Sequence, residues 1–199
     1  MNFLAHIYLS GEDPEIKLGN FMADAVKGNQ VNQYNQKIQI GIRLHRAIDA
    51  YTDAHPTFRQ STRRLHGKQF GHYAGVIVDL FYDHFLAANW QQYHQENLPT
   101  FAQRFYALLD DKKSLTPERT QHLIPYMIEQ NWLVKYQTLA GLDQIMRQMN
   151  KRTKGRSNMD QAGLELRQHY PEFLKEFQSF FKELITFSRE ELERLTHNF

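Results

Sequence analysis

The segment from residue 74 to 87, AGVIVDLFYDHFLA, constrains this chain most. Wound as a helix at about 3.6 residues per turn, it is apolar around nearly its whole circumference, so other elements have to enclose it. The helix that contains it is expected from Gly71 to Trp90. The enclosing elements read as helices too. Pro14 follows Glu12 and Asp13 in a helix-start pattern, and the stretch to Val26 sets Leu18, Phe21, Met22 and Ala25 on one side before Lys27-Gly28 stops it. From Gln33 to Ala54 the residues Ile40, Leu44, Ile48 and Tyr51 recur at spacings of 4, 4 and 3, ahead of a stop at His55-Pro56. Pro56 opens a short basic helix that ends near Gly67.

Further helices are expected from Pro99 to Asp110, from Pro117 to Gln130 with Thr116 as N-cap, from Thr138 to Lys151, and from Met159 to His169. Pro171 begins a last helix of about 25 residues, in which Phe173, Phe177, Phe180, Phe181, Leu184, Phe187, Leu192 and Leu195 form a stripe for a bundle core or a partner. No alternating strand, repeat or low-complexity tract interrupts the pattern. With 199 residues, 41% of them apolar, the chain suits a single-domain, all-α helical bundle, dense in motifs over residues 1–98 and completed by helices over 99–199.

Composition narrows the chemistry. The absence of Cys excludes disulfides, thiolate metal sites and a cysteine nucleophile, so a metal would have to be held by the His residues, of which there are 10, with carboxylates and water. No dinucleotide, P-loop, nucleophile-elbow or H-E-x-x-H signature is present. The N-terminal MNFLAHIYLS has no basic residue before its short apolar stretch, and no later run approaches the roughly 18 to 20 apolar residues of a membrane span. A soluble, cytoplasmic protein with no membrane partner is expected. A net charge of +2 also argues against a nucleic-acid partner.

Against this background Asp79 stands out, because a lone carboxylate in an enclosed helix costs several kcal/mol, on the order of what folding leaves in hand, unless it is paired, protonated or bound to a metal. Asp83 lies one turn on and shares its face, with Tyr82 and His84 beside it. The pair could border a cation, or cap or salt-bridge neighbouring helices. In GIRLHRAIDAYTDAHP, residues His45, Asp49 and Asp53 step along one side at i, i+4 and i+8, opposite the apolar arc, with Arg43 and Arg46 adjacent. A His and an Asp one turn apart can chelate a metal while an Arg holds phosphate oxygens, but the same arc also describes a solvated, salt-bridged face. His6, inside FLAHIYL, reads more as a satisfied core histidine than as a ligand, and Asp24, on the polar side of its helix, as a plainly exposed carboxylate. Oxygen and nitrogen ligands on helices favour Mn²⁺, Mg²⁺, Fe²⁺ or Zn²⁺ and metal-assisted hydrolysis. Between Ala54 and Val78 no acidic residue occurs, yet Arg59, Arg63, Arg64 and Lys68 do, and Lys151, Arg152, Lys154 and Arg156 form a second basic run. Both suit an acidic partner or a merely solvated face.

The blocks MNFLAHIYLS, LGNFMADAVKG, GIRLHRAIDAYTDAHP and YAGVIVDLFYDHFLAANW, in this order, resemble the bacterial acyl carrier protein phosphodiesterases. The resemblance implies a divergent relative of the HD phosphohydrolases, although the adjacent His-Asp pair of that superfamily is absent and the chain has Asp83-His84 instead. It implies removal of 4′-phosphopantetheine from holo-acyl carrier protein, an acidic protein substrate, with a divalent cation, foremost Mn²⁺ with Mg²⁺ or Fe²⁺ as alternatives. It further implies Asp24, His45 and Asp79 as ligands with His6, Asp49 and Asp83 beside them; in a mechanism built on that set Arg46 stabilises charge, Asp83 or His84 manages a proton, and Arg59, Arg63, Arg64 and Lys68 dock the carrier. An HD-like phosphohydrolase of small phosphodiesters or nucleotides, or a non-catalytic module binding an acidic protein, are the alternatives. Neither metal count nor oligomeric state is legible.

Overall fold

The computed structural model describes residues 1–66 and 69–198, which form eleven α-helices linked by short 3₁₀ turns, with no strand among the described residues. These are α1 (Phe3–Tyr8), α2 (Pro14–Met22), α3 (Gln36–Ala54), α4 (Pro56–Leu65), α5 (Ala74–Ala88), α6 (Leu98–Asp111), α7 (Glu118–Glu129), α8 (Trp132–Lys135), α9 (Leu139–Arg152), α10 (Ala162–Gln168) and α11 (Tyr170–His197). The apolar helix α5 is the centre, packed against α1, α4, α9 and α11, and Ile77, Val78, Leu80, Phe81, Phe85 and Leu86 are wholly buried. The expected stripe of α11 lies against it: Phe173, Phe177, Phe180, Phe181 and Leu184 are buried, each worth about 1.5–3 kcal/mol relative to exposure. No helix among the described residues is long and apolar enough to cross a membrane.

Helix boundaries follow local chemistry. Asp13 caps α2 by accepting from the Glu15 and Ile16 amides, and Asn35, Asn97 and Thr138 cap α3, α6 and α9 in the same way. Thr116 is not the N-cap expected of it, because its hydroxyl turns back to donate to the Lys113 carbonyl and Pro117 takes the cap position. The α2 helix stops at Met22 rather than running to Val26, and a 3₁₀ turn, Ala23–Ala25, carries Asp24 away from the helix axis. The stop expected near Gly67 lies outside the described residues.

Helices α2 and α3 cross closely at two glycines. A methyl group on Gly41 would overlap the Ile16 carbonyl oxygen and come within 3.0 Å of the Gly19 Cα, and one on Gly19 would overlap the Ile38 carbonyl. The backbones therefore touch, and the residues next to each glycine, Asn20 on α2 and His45 one turn beyond Gly41 on α3, are brought together.

Candidate metal centre

Helix α1 has only 6 residues and would not persist alone. It is held by α5: Asp83, wholly buried, accepts from the Leu4 amide at 2.8 Å and the Ala5 amide at 3.2 Å, while Asn2 caps the Phe3 amide. Burial pushes the Asp83 carboxyl up to about 7, although these amides oppose it. Anchored in this way, α1 presents His6 to α3, where its ring stacks on that of His45 with centroids 4.0 Å apart.

Asp49 bridges the two rings. Its Oδ1 lies 3.1 Å from His6 Nε2 and its Oδ2 lies 3.1 Å from His45 Nε2. Asp24, delivered by its 3₁₀ turn, brings a second carboxylate to His45 Nε2 at 3.2 Å. The other ring nitrogen of His45 is committed. Asn20 Nδ2 donates to the His6 carbonyl and to Ser10 Oγ, so its Oδ1 faces His45 and accepts from Nδ1–H at 3.0 Å. With Nδ1 protonated, a neutral His45 aims its Nε2 lone pair at two carboxylates, an arrangement that requires a proton or a cation between them.

The titration shifts express the same geometry. Burial lowers His45, but hydrogen bonds to Asp24 and Asp49 outweigh it and carry the imidazole up to about 9. Burial and the neighbouring His45 charge bring His6 down to about 4. For Asp49, burial is overcome by the hydrogen bonds from His45 and His6, which hold it well below the usual carboxylate range. Among the described residues, His6, His45 and Asp49 form the one His and acidic group with ligand atoms within 4.8 Å of one another. His6 Nδ1 is buried with no hydrogen-bond partner. Two imidazoles, one bridging carboxylate, a second carboxylate at the rim and a tautomer fixed from behind fit a divalent cation.

Asp79 sits at the edge of this group. Its side chain is 21% exposed and pairs with the Met1 ammonium at 3.0 Å, which also lies 3.6 Å from Asp49. The cation foreseen beside Asp79 is therefore an ammonium here. His84 points elsewhere: Nδ1 donates to the Tyr136 carbonyl at 2.8 Å and Nε2 accepts from the Tyr170 hydroxyl, tying α5 to α8 and α11. Arg46 donates to the Val26 carbonyl and is exposed. In the basic helix, Arg59 and Arg63 are exposed, whereas Arg64 is bound to the buried Glu176, which also takes Gln60 and Ser61 and links α4 to α11. Lys68 lies outside the described residues.

Asn20 was not singled out from the sequence, where it reads as an ordinary polar residue of GNFMAD. Its only signal is the neighbouring Gly19, which marks a close crossing. Replacing it with Leu removes the acceptor for His45 Nδ1–H and is expected to weaken binding of Mn²⁺ or Co²⁺ about 10- to 100-fold, with Asn20→Asp, which keeps that acceptor, losing less. Metal titration of the apoprotein checks this, and equal affinity in Asn20→Leu would remove the orienting role.

A family model described as acyl carrier protein phosphodiesterase matches residues 1–184. A protein named acyl carrier protein phosphodiesterase from Photorhabdus laumondii is 35% identical over 182 residues, 91% of each chain. Relatives of the same name from Pectobacterium atrosepticum and Serratia proteamaculans are 31% and 30% identical, over 95% and 93% of this chain and 98% and 96% of theirs. No solved structure matches the chain significantly.

Proposed function

Because the chain belongs to the acyl carrier protein phosphodiesterase family, we propose that it hydrolyses the phosphodiester joining 4′-phosphopantetheine to a serine of holo-acyl carrier protein, in the cytoplasm. The observation that carries this is the stacked His6–His45 pair bridged by Asp49, whose Nε2 atoms face carboxylates across a distance suited to a divalent ion. His6, His45 and Asp49 would hold that ion, foremost Mn²⁺, with Asp24 and Asp79 completing the acidic rim. When bound, it would supply Lewis acidity for a phosphoryl oxygen and make water nucleophilic near neutral pH.

The chain's own groups account for the rest. Asn20 sets the His45 tautomer, and Asp83 keeps α1, and with it His6, in position. Water oxygen bonds to phosphorus, the bond from phosphorus to the serine oxygen breaks, and that oxygen gains a proton. Arg46 would stabilise the charge gathered on the phosphoryl oxygens. Asp24 is best placed to take the proton from water, with its side chain 82% exposed and hydrogen-bonded to His45. Asp83 and His84, to which sequence assigned that task, have both polar ends engaged in holding helices. Kinship with the HD phosphohydrolases is supported by the His and Asp cluster on adjacent helices, not by an adjacent His-Asp pair.

Incubating holo-acyl carrier protein with the enzyme and Mn²⁺ and weighing the product tests the reaction; a carrier of unchanged mass would sink it. Arg59 and Arg63 would supply part of the basic face for the acidic carrier. Arg63→Glu is then expected to raise KM and leave stability unchanged. Arg64→Glu instead sets two carboxylates together at Glu176 and is expected to cost about 2–3 kcal/mol of stability, read from thermal unfolding. If Arg64→Glu unfolds like the wild type, Glu176 is not its structural partner.

A further inference from the structure

Helix α5, enclosed along most of its length, has one opening. From Ala74 to Ala87 the residues that are not buried are Gly75, Val76 and Asp79. At about 100° per residue, Gly75 and Val76 lie within roughly 60° of Asp79 around the helix, on the side that also carries Asp83. Helix α1 covers that side at Asp83, which holds the Leu4 and Ala5 amides, and Met1 reaches as far as Asp79. Past Asp79 the face is open for a turn, toward the exposed Gly71 and His72 ahead of α5. It starts at the edge of the metal cluster and leads away from it.

The fold gives no reason for a glycine on this face. The φ of Gly75 is not positive, and a methyl group added to it would meet no atom of the described residues within 4 Å, in contrast to Gly19 and Gly41. A helical glycine lowers stability relative to most side chains, and the bare backbone it leaves suits close approach by a molecule from outside the chain.

Beyond the N-terminal end of α5 stands a basic loop. Asn158 Nδ2 donates to the Gln69 carbonyl at 2.9 Å, just ahead of the turn that enters α5. The loop is fixed from within, because Thr153 Oγ1 donates to Ser157 Oγ, which donates in turn to Asn150 Oδ1. It presents Lys151, Arg152, Lys154 and Arg156, all exposed and without an ion pair among the described residues. Asp160, the one acidic residue between 151 and 161, is hydrogen-bonded by Asn150 and Gln161. At about 1.5 Å per residue of α5 and 2 Å per residue of the 3₁₀ turn, Gln69 stands roughly 15–20 Å from Asp79, within the span of one small protein.

We infer that the open face of α5 from Asp79 to Gly75 seats the surface of the acidic carrier protein, whose carboxylates are received by the loop of residues 151–156 as a further part of the basic face. The inference rests on the carrier-protein substrate proposed above. Its test is calorimetric titration of apo-acyl carrier protein, which lacks the prosthetic group and so reports surface contacts alone, into the Mn²⁺-loaded enzyme at low salt. Gly75→Leu places a bulky side chain with no polar end in the open space, and is expected to weaken binding about tenfold while melting about 1–3 °C above the wild type. Weaker binding joined to a more stable helix cannot come from misfolding. Arg152→Gln/Lys154→Asn removes two charges, with Asn suited to the left-handed backbone at residue 154 (φ 55°), and is expected to weaken binding about fivefold and flatten its salt dependence.

An affinity of Gly75→Leu equal to that of the wild type would overturn the inference while leaving the hydrolase intact. A clearly lower melting temperature would overturn it too, since the face would then be covered in the folded chain. Unchanged apo-carrier binding with a raised KM for the holo form would make the face a seat for the prosthetic group instead, and an unchanged salt dependence in the double variant would remove the loop from the carrier's seat. Wild-type enzyme that neither binds the apo-carrier nor converts the holo form would defeat the proposed function itself.

Discussion

Asp49→Ala is expected to abolish Mn²⁺-dependent release of phosphopantetheine, lowering kcat/KM by about a thousandfold or more, the equivalent of several kcal/mol of transition-state stabilisation. Among the described residues its carboxylate is the one that pairs with both imidazoles: its two oxygens lie 3.1 Å from His6 Nε2 and 3.1 Å from His45 Nε2. The carboxylate is also 40% exposed, so its removal opens no cavity, but it strips His6 and His45 of their shared partner and is expected to cost about 1–3 kcal/mol of stability at neutral pH. A thermal melt of the variant, run beside the assay at a temperature where it stays folded, separates the loss of activity from unfolding. Asp53→Ala, one turn further along α3 and exposed, is the control and is expected to keep wild-type turnover. If Asp49→Ala bound Mn²⁺ and turned over holo-acyl carrier protein as the wild type does, the metal assignment would be wrong.

Gly41→Ala should have the second large effect, and its sign is opposite to helix propensity. In an unencumbered helix interior this change would stabilise by about 1 kcal/mol. Here the added methyl meets backbone, the Ile16 carbonyl and the Asn20 amide, neither of which can rotate aside. The α2 and α3 axes have to separate, at a cost of about 3 kcal/mol, or roughly 6–12 °C in melting temperature for a chain of this size. Separation also draws Asn20 away from His45 Nδ1, so metal affinity should fall together with stability. A melting temperature equal to or above that of the wild type would show that the crossing is looser than described.

Much of the fold was legible because helical periodicity and proline, Asn and Thr punctuation are local signals. The α5 segment announced its own enclosure, and the stop at His55-Pro56 is where α3 ends and α4 begins. The failures were local competitions that sequence does not resolve, such as Thr116 choosing the Lys113 carbonyl over the cap, or the axis of α2 tightening into a 3₁₀ turn after Met22. The short helices α1 and α8 carry too few residues for a periodic signal.

The candidate site was legible only in outline. His45 and Asp49 stood one turn apart, but the same spacing describes a solvated face. What decides between the two is that α2 lies against Gly41 and leaves His45 6% exposed, a fact about a helix some 20 residues away. His6 read as a satisfied core histidine; it is buried, yet one ring nitrogen has no partner and the other meets Asp49. Asp79 was expected to be enclosed and in need of a partner; it is 21% exposed and paired with the Met1 ammonium, whereas Asp83 is wholly buried and holds the first amides of α1.

By itself, then, the sequence determined the helical class, the enclosed α5, the residue types available to hold a cation, and the family to which the chain belongs. Those follow from periodicity, composition and motif order, which are properties of neighbours along the chain. Only the tertiary structure decided that Asp49 rather than Asp79 bridges the histidines, that Asn20 fixes a tautomer, and that Arg64 serves Glu176. Each depends on the angle and closeness at which two helices cross. Between α2 and α3 that closeness is set at Gly19 and Gly41 by the absence of a side chain, a feature whose consequence appears only when the second helix is in place.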